Sequence, residues 1–247
     1  MYLRILLPSI LALGALYKKK LTNSAIILAW VFGLIIIIFG GYYAFGALVL
    51  TFLLTIFSDK LKKKEDRDEK RNVYQIISNV MVPTLAIILF YVTDKLIFYI
   101  MYYCVIGSSL ADTLASSIGP LSTKKPINIF TLKRMEHGDS GAVSFLGLNA
   151  SIFGGIIIGI VYYIETLDIT NYLLIVIMST LGSFIDSMLG VSMQAKYECV
   201  TCHKKIEEEI HCNKKAKLIH GYKFMNNNTV NLLNNIFVFI ISYIFLL

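Results

Sequence analysis

The sequence predicts an all-α, polytopic membrane helical bundle of about eight transmembrane helices, within a range of seven to nine, with its active site at the cytoplasmic mouth. Three observations predict this. Of 247 residues, 56% are hydrophobic and 16% charged, with a mean hydropathy of +0.68, well to the apolar side of a globular mixture. Apolar runs near the length of one membrane crossing recur along the whole chain. The basic residues behind the formal net charge of +7 gather between those runs, which is what membrane topology requires and gives no reason to expect nucleic acid as a partner.

The runs cover about 1–17, 21–39, 40–58, 73–93, 95–118, 141–164, 171–193 and 228–247. The first is short, and only Gly40-Gly41 separates the second from the third, hence the range of helix number. Lysines follow the first run instead of preceding it, and no small-residue cleavage site is present, so the run reads as a retained helix. No Pro- or Ser-rich linker and no fixed-period repeat divides the chain, and 1–247 reads as one transmembrane domain. Lys18 to Lys20, the segment 60–71, the segment 124–134 and the segment 196–223 hold 21 of the 23 Lys and Arg. Alternate threading puts all four on one side, cytoplasmic by the positive-inside rule, and both termini outside. Only Arg4 and Lys95 fall on the opposite face. Within the second basic segment, 61–71 reads as a solvated loop able to meet anionic lipid heads.

Of 16 acidic residues, only Asp112 and Asp186 lie within apolar runs. A carboxylate at membrane depth costs about 2.5–3.5 kcal/mol on insertion scales, so it marks a cavity, a cation or a partner. Ser108, Asp112 and Ser116 share one helix face. The fifth and seventh helices both run inward and bring Asp112 and Asp186 to the same depth. Two carboxylates there repel unless a cation lies between them, and oxygen ligands suit Mg²⁺. The alternative is that each separately pairs with a lysine or caps a loop.

Other polar residues gather at that level. Arg71, Gln75 and Asn79 recur at i, i+4, i+8 before and within the fourth helix. Asn227, Asn231 and Asn234 repeat near i, i+4, i+7 in the eighth, and Gln194 follows Asp186 by eight residues. Amides so spaced can hold a base or a phosphate, or bond helix to helix. In TLKRMEHGDSGAVSFLG, 131–147, Asp139 or Ser140 is a candidate N-cap. Gly138 and Gly141 would let backbone N–H groups approach an anion, beside Lys133 and Arg134. The pattern is not a P-loop.

The segment 195–224 carries Cys199, Cys202, His203, His211 and Cys212. A Cys-x2-Cys pair followed by His-Cys has the spacing of a structural zinc knuckle, with Cys199, Cys202, His211 and Cys212 as ligands; free thiols are the other use.

ADTLASSIG at 111–119, KRMEHGDSGAVSFLG at 133–147, SFIDSMLG and QAKYECVTC within 183–202, NNNTVNLLNN at 226–235 and RNVYQIISN at 71–79 together resemble the polytopic membrane family of plant phytyl-phosphate kinase and its archaeal relatives. Dolichol and phytol kinases and membrane cytidylyltransferases are more distant look-alikes. The resemblance implies Mg²⁺-dependent transfer of the terminal phosphoryl group of a nucleoside triphosphate, with CTP favoured, to a prenyl monophosphate such as phytyl or geranylgeranyl phosphate. Asp112 and Asp186 would then serve Mg²⁺, and Lys133, Arg134 and the 138–141 backbone the phosphates. Arg71, Gln75, Asn79 and the asparagines of the eighth helix would hold the nucleotide or the acceptor phosphate. The prenyl tail would enter sideways from the membrane lipids. Gly138-Asp139-Ser140-Gly141-Ala142 departs from the family's usual Gly-Thr-x-Gly-Gly, which leaves nucleotide choice open. The rival classes are a transporter of an anionic or isoprenoid substrate, and a CTP-dependent prenol or polyprenol kinase or cytidylyltransferase.

Overall fold

In lipid, apolar runs joined by short segments satisfy their backbone polar groups as helices. The computed structural model, which describes residues 2–61, 70–136, 139 and 141–247, has eight: α1 (Tyr2–Lys18), α2 (Asn23–Phe39), α3 (Gly41–Asp59), α4 (Val73–Thr93), α5 (Leu96–Ile118), α6 (Phe145–Thr166), α7 (Ile169–Ser192) and α8 (Asn227–Leu246). Most of the segment read as a solvated loop, 62–69, lies outside the described residues, as do Gly138 and Ser140.

Helix number agrees with the sequence reading, but among the described residues only α3 to α8 are long and apolar enough to cross a membrane. At 17 residues each, α1 and α2 are shorter. They form a hairpin in which Trp30 Nε1 donates to Ser9 Oγ (3.1 Å) and Arg4 Nη1 to Ile38 O (3.0 Å). A hairpin that crosses or stays out as a unit leaves the alternation of α3 to α8 unchanged.

That alternation gathers the basic segments at one end. Thr22 N donates to Arg71 O and Arg71 N to Lys20 O, both at 3.0 Å, stitching the first two together. Ser144 Oγ donates to Gly119 O (3.1 Å) and closes the third. The fourth is a small β lobe. β3 (Lys196–Glu198) lies between β4 (Lys205–Ile206) and β7 (Lys217–His220), while β5 (Ile210–His211) pairs with β6 (Lys214–Lys215). A further pair, β1 (Ile127–Asn128) and β2 (Ala142–Val143), spans the α5–α6 connection.

α5 is the axis of the bundle. Every residue from Tyr99 to Ala111 is buried, and α3, α4, α6, α7 and α8 all pack against it. Lipid supplies no hydrophobic drive between helices, so close approach and interhelical hydrogen bonds must do so. A Cβ on Gly154 would lie 2.9 Å from Ala111 Cα, and one on Gly182 would strike Ser108 Oγ. Asn235 Nδ2 donates to Ser78 O (2.8 Å) and its Oδ1 accepts from Ser109 Oγ (3.1 Å), tying α8 to α4 and α5. At the opposite end, Tyr99 Oη donates to Glu165 Oε2 (2.6 Å) and Tyr102 Oη to Ala44 O (2.6 Å).

The α6 N-cap differs from the sequence reading. It is Ser144, whose Oγ accepts from Gly147 N (3.0 Å), not Asp139 or Ser140. Gly141, at φ +74°, sits against α7 so closely that a Cβ there would meet Val191 N at 2.6 Å. Ala142 and Val143 are then used as strand, which delays the helix.

Gly154→Val is expected to lower stability by at least about 1–3 kcal/mol through overpacking against α5. Gly46→Ala, whose Cβ would enter open space, is expected to be neutral or slightly stabilising. Thermal unfolding in detergent checks both, and equal Tm values would contradict this packing.

Candidate functional site

The C-terminal halves of α5 and α7 deliver Asp112 and Asp186 into one polar cavity at the basic end, of about 1770 Å³ including its mouth. The two carboxyl groups adjoin each other within hydrogen-bonding reach, and Glu207, from the connection between β4 and β5, approaches Asp186. With its amide oriented to suit its neighbours, Asn231 Nδ2 donates to Asp186 Oδ1 (3.1 Å) and Asn227 O (3.2 Å). The first two turns of α4 and α8 and the start of α6 also line the cavity, through Gln75 and Asn79, Asn227 and Asn231, and Ser144 and Gly147. Helix C-termini favour cations and helix N-termini favour anions. The cavity is therefore suited to a cation at the ends of α5 and α7 and to phosphate-like oxygens at the starts of α4, α6 and α8.

Of the residues singled out in the sequence, Arg71, Gln75, Asn79, Asp112, Ser116, Asp139, Gly141, Asp186, Gln194, Asn227 and Asn231 line this cavity. Ser108 and Asn234 do not. One helical turn deeper than Asp112 the helices are in contact, and Asn234 Nδ2 donates to Ser108 Oγ (3.3 Å) there as an interhelical bond. Lys133 and Arg134 do not line it either: an Ile127–Arg134 bridge and the Asn128 N to Lys133 O hydrogen bond (2.9 Å) close 128–133 into a turn, and both side chains are exposed. Among the described residues, Arg71 is the one Lys or Arg on the cavity wall, and its Nη2 pairs with Asp59 Oδ2 at 2.7 Å.

Two local roles also differ from simple helical phasing. Gln75 belongs to a capping box, its Oε1 accepting from Asn72 N (3.0 Å) and its N–H donating to Asn72 Oδ1 (3.2 Å), so it rigidifies the start of α4 while facing the cavity. Gln194 lies past the end of α7, buried, and donates to Glu207 Oε2 (2.8 Å).

Sequence reasoning missed Ser183, Ser187 and Glu207. Ser183 lies three residues before Asp186 on its helical face, which was a legible signal. Glu207 carried none, since only the fold of the lobe brings it to the cavity.

A second, mainly apolar cavity of about 1010 Å³, outer opening included, lies among α1 to α5, lined by residues such as Leu11, Ala12, Ala29, Trp30, Phe45 and Phe52. Arg71, Gln75, Asn79 and Thr113 line both cavities. They form a shared wall between a polar chamber and an apolar one.

In the lobe, Cys199, Cys202, His211 and Cys212 come together, with one donor atom from each lying within 4.8 Å of the others. The backbone N–H groups of Cys202 and Thr201, followed by His211, hold the Cys199 thiol down at about 6, whereas burial pushes Cys212 up.

Comparison with known proteins agrees with this architecture. The chain is 29% identical over 203 residues to an uncharacterised membrane protein of Methanocaldococcus jannaschii, covering 79% of this chain and 84% of that one. It is 27% identical over 268 residues to Protein PGR of Arabidopsis thaliana, covering 92% and 89%. A third relative, an uncharacterised membrane protein of Synechocystis, is 28% identical over 214 residues, covering 80% and 81%. No solved structure matches. The family profile described as integral membrane protein DUF92 matches residues 6–239, and the chain belongs to that family.

Proposed function

We propose that this chain transfers the terminal phosphoryl group of a nucleoside triphosphate, with CTP favoured, to a prenyl monophosphate, giving the diphosphate. The observation that carries the reading is the shared wall of Arg71, Gln75, Asn79 and Thr113 between the polar and apolar cavities. A substrate with an anionic head and a long apolar tail matches that pairing of chambers. The motif resemblance supplies the reaction class, and the divided electrostatics of the polar chamber supports it.

The adjoining carboxylates of Asp112 and Asp186 fit a hard, oxygen-liganded cation such as Mg²⁺. When bound, that ion would neutralise phosphate oxygens during transfer. The other contributions belong to the chain itself. The N–H groups of Asn227 and Asn228 at the start of α8, which line the cavity, with the amides of Asn79, Asn227 and Asn231, orient phosphate oxygens. Arg71 neutralises charge where the head meets the tail. An oxygen of the lipid phosphate forms a bond to the γ-phosphorus as that phosphorus loses its bond to the β,γ-bridging oxygen, and the nucleoside diphosphate leaves with the electron pair. The attacking phosphate is already an anion at neutral pH, so no strong general base is needed. The basic end of the bundle faces the cytoplasm in this reading, where nucleotide is available, and both termini lie outside.

The direct test is incubation of purified protein with CTP, ATP, UTP or GTP and phytyl or geranylgeranyl monophosphate, with the lipid product identified by mass spectrometry. Absence of diphosphate with every nucleotide would sink the proposal. Asp112→Asn and Asp186→Asn are each expected to reduce turnover by about 10³-fold or more, and the double variant little further, because groups serving one ion act as a unit. Losses that multiply would separate their roles. Ala29→Phe, which fills the apolar cavity, is expected to raise KM for geranylgeranyl monophosphate about tenfold while sparing a short prenyl phosphate. An equal effect on both would detach that cavity from the tail. For orientation, Lys124→Cys should resist an impermeant thiol reagent in intact cells and Lys95→Cys should react; the reverse pattern would invert the threading.

A further inference from the structure

We propose that Cys199, Cys202, His211 and Cys212 bind one zinc ion in a closed, tetrahedral structural site, and that this ion holds Gln194 and Glu207 at the rim of the polar cavity. A tetrahedron with Zn–S of about 2.3 Å and Zn–N of about 2.0 Å has S···N edges of about 3.5 Å and S···S edges of about 3.8 Å. His211 Nδ1 lies 3.5 Å from Cys202 Sγ and 3.2 Å from Cys212 Sγ, and no pair of the four donor atoms exceeds 4.8 Å. Two of the six edges are thus near tetrahedral length, and the other four are no longer than 4.8 Å. All the cysteines are free. Three thiolates and one imidazole form a soft set that selects zinc over the hard cations suited to the carboxylate site.

Two features of the lobe demand a cross-link. Its buried core is Ala195, Tyr197 and Ala216, with Ile206 packed against them, and its strands are two to four residues long. So small a core does not order a segment of this size without a metal or a disulfide. The backbone is also strained at the cluster itself. His203, Cys212 and Asn213 have φ of +57°, +51° and +57°. Asparagine and histidine tolerate the left-handed region, but cysteine rarely adopts it. Cys212 occupies the first position of the turn from β5 to β6, where that conformation swings its sulfur toward His211 and the Cys199–Cys202 loop. Metal bonds offset the strain. Four protein ligands leave no open position, so the ion orders structure and performs no chemistry.

The consequence reaches the cavity along a short path. The ion joins the β3–β4 loop, which holds Cys199 and Cys202, to the β5–β6 hairpin, which holds His211 and Cys212. Glu207 lies in the connection between β4 and β5, and it accepts from Gln194 Nε2 at 2.8 Å. His220 Nε2, 2.9 Å from Val191 O, anchors the far strand to α7. Without the ion the lobe would keep this anchor and lose its tip. The inference stands apart from the phosphoryl-transfer reading, because its readouts need no turnover.

The test uses the full chain, purified in detergent on a histidine-free affinity tag. Elemental analysis is expected to find close to one zinc per chain, falling about tenfold or more in Cys199→Ser and Cys212→Ser, and unchanged in Cys104→Ser and His203→Ala. Stripping the metal should open Lys204, Lys205, Lys214 and Lys215 to trypsin, and added Zn²⁺ should close them again. If the serine variants fail to insert in the membrane, Co²⁺ exchange into the parental protein decides, through the visible bands of tetrahedral thiolate-ligated cobalt. A chain that takes up neither ion, one that carries iron instead, or one with a Cys199–Cys202 disulfide would overturn the proposal.

Discussion

Two carboxylates side by side in the end of an otherwise apolar bundle set the terms for the rest of the structure. Asp112 and Asp186 adjoin each other, and each sits toward the C-terminal, electronegative end of its helix. Both circumstances raise the cost of negative charge there. The amide of Asn231 offsets part of it by donating to Asp186, and the electropositive starts of α4, α6 and α8 line the same cavity. Such an arrangement persists only if the helices bearing the carboxylates are held tightly. The small residues between α5, α6 and α7 provide this, with Gly154 against Ala111 and Gly182 against Ser108. The packing that makes α5 the axis is therefore the packing that keeps the two acids together.

The polarity of the cavity follows from chain threading. In an alternating bundle the odd helices end where the even helices begin, so one face necessarily presents both kinds of helix terminus. What the sequence adds is the choice of residues at each kind. Acids stand near the ends of α5 and α7, and small or amide side chains stand at the starts of α4, α6 and α8. Asn72, Ser144 and Asn226 cap those starts by accepting from backbone N–H groups, while the turns just beyond them line the cavity.

Much of this was legible without coordinates. Hydropathy gave the helices, and the segregation of Lys and Arg gave a single basic end. The scarcity of acids inside apolar runs singled out Asp112 and Asp186. Helical phasing worked where a residue lay within one turn of the mouth, as for Ser116, and failed one turn deeper, where Ser108 and Asn234 are consumed by contact between helices. Gln194 reaches the cavity although the chain has left α7 by then, and Ser144, the α6 N-cap, lies before the helix, where phasing has nothing to act on. Glu207 was invisible because its position depends on strand pairings only two residues long, and such pairings have no periodicity to read. The 17-residue lengths of α1 and α2 fell at the margin of a crossing, where composition alone does not decide.

Those two short helices bear on how an amphiphile would reach the site. α1 buries Pro8 alone among its described residues, whereas α5 is buried along most of its length. The apolar cavity takes its outer walls from α1 and α2, and the polar cavity takes its walls from α4 to α8. Elements with few buried contacts open at low cost, while densely packed ones do not. The bundle is thus loosest beside the apolar chamber, and tightest along α5 from Tyr99 to Ala111, immediately before Asp112. Arg71 stands at the junction, stitched by its backbone to the α1–α2 connection and by its guanidinium to Asp59. Arg71 thus ties the loosely packed half of the bundle to the densely packed half that holds the acids.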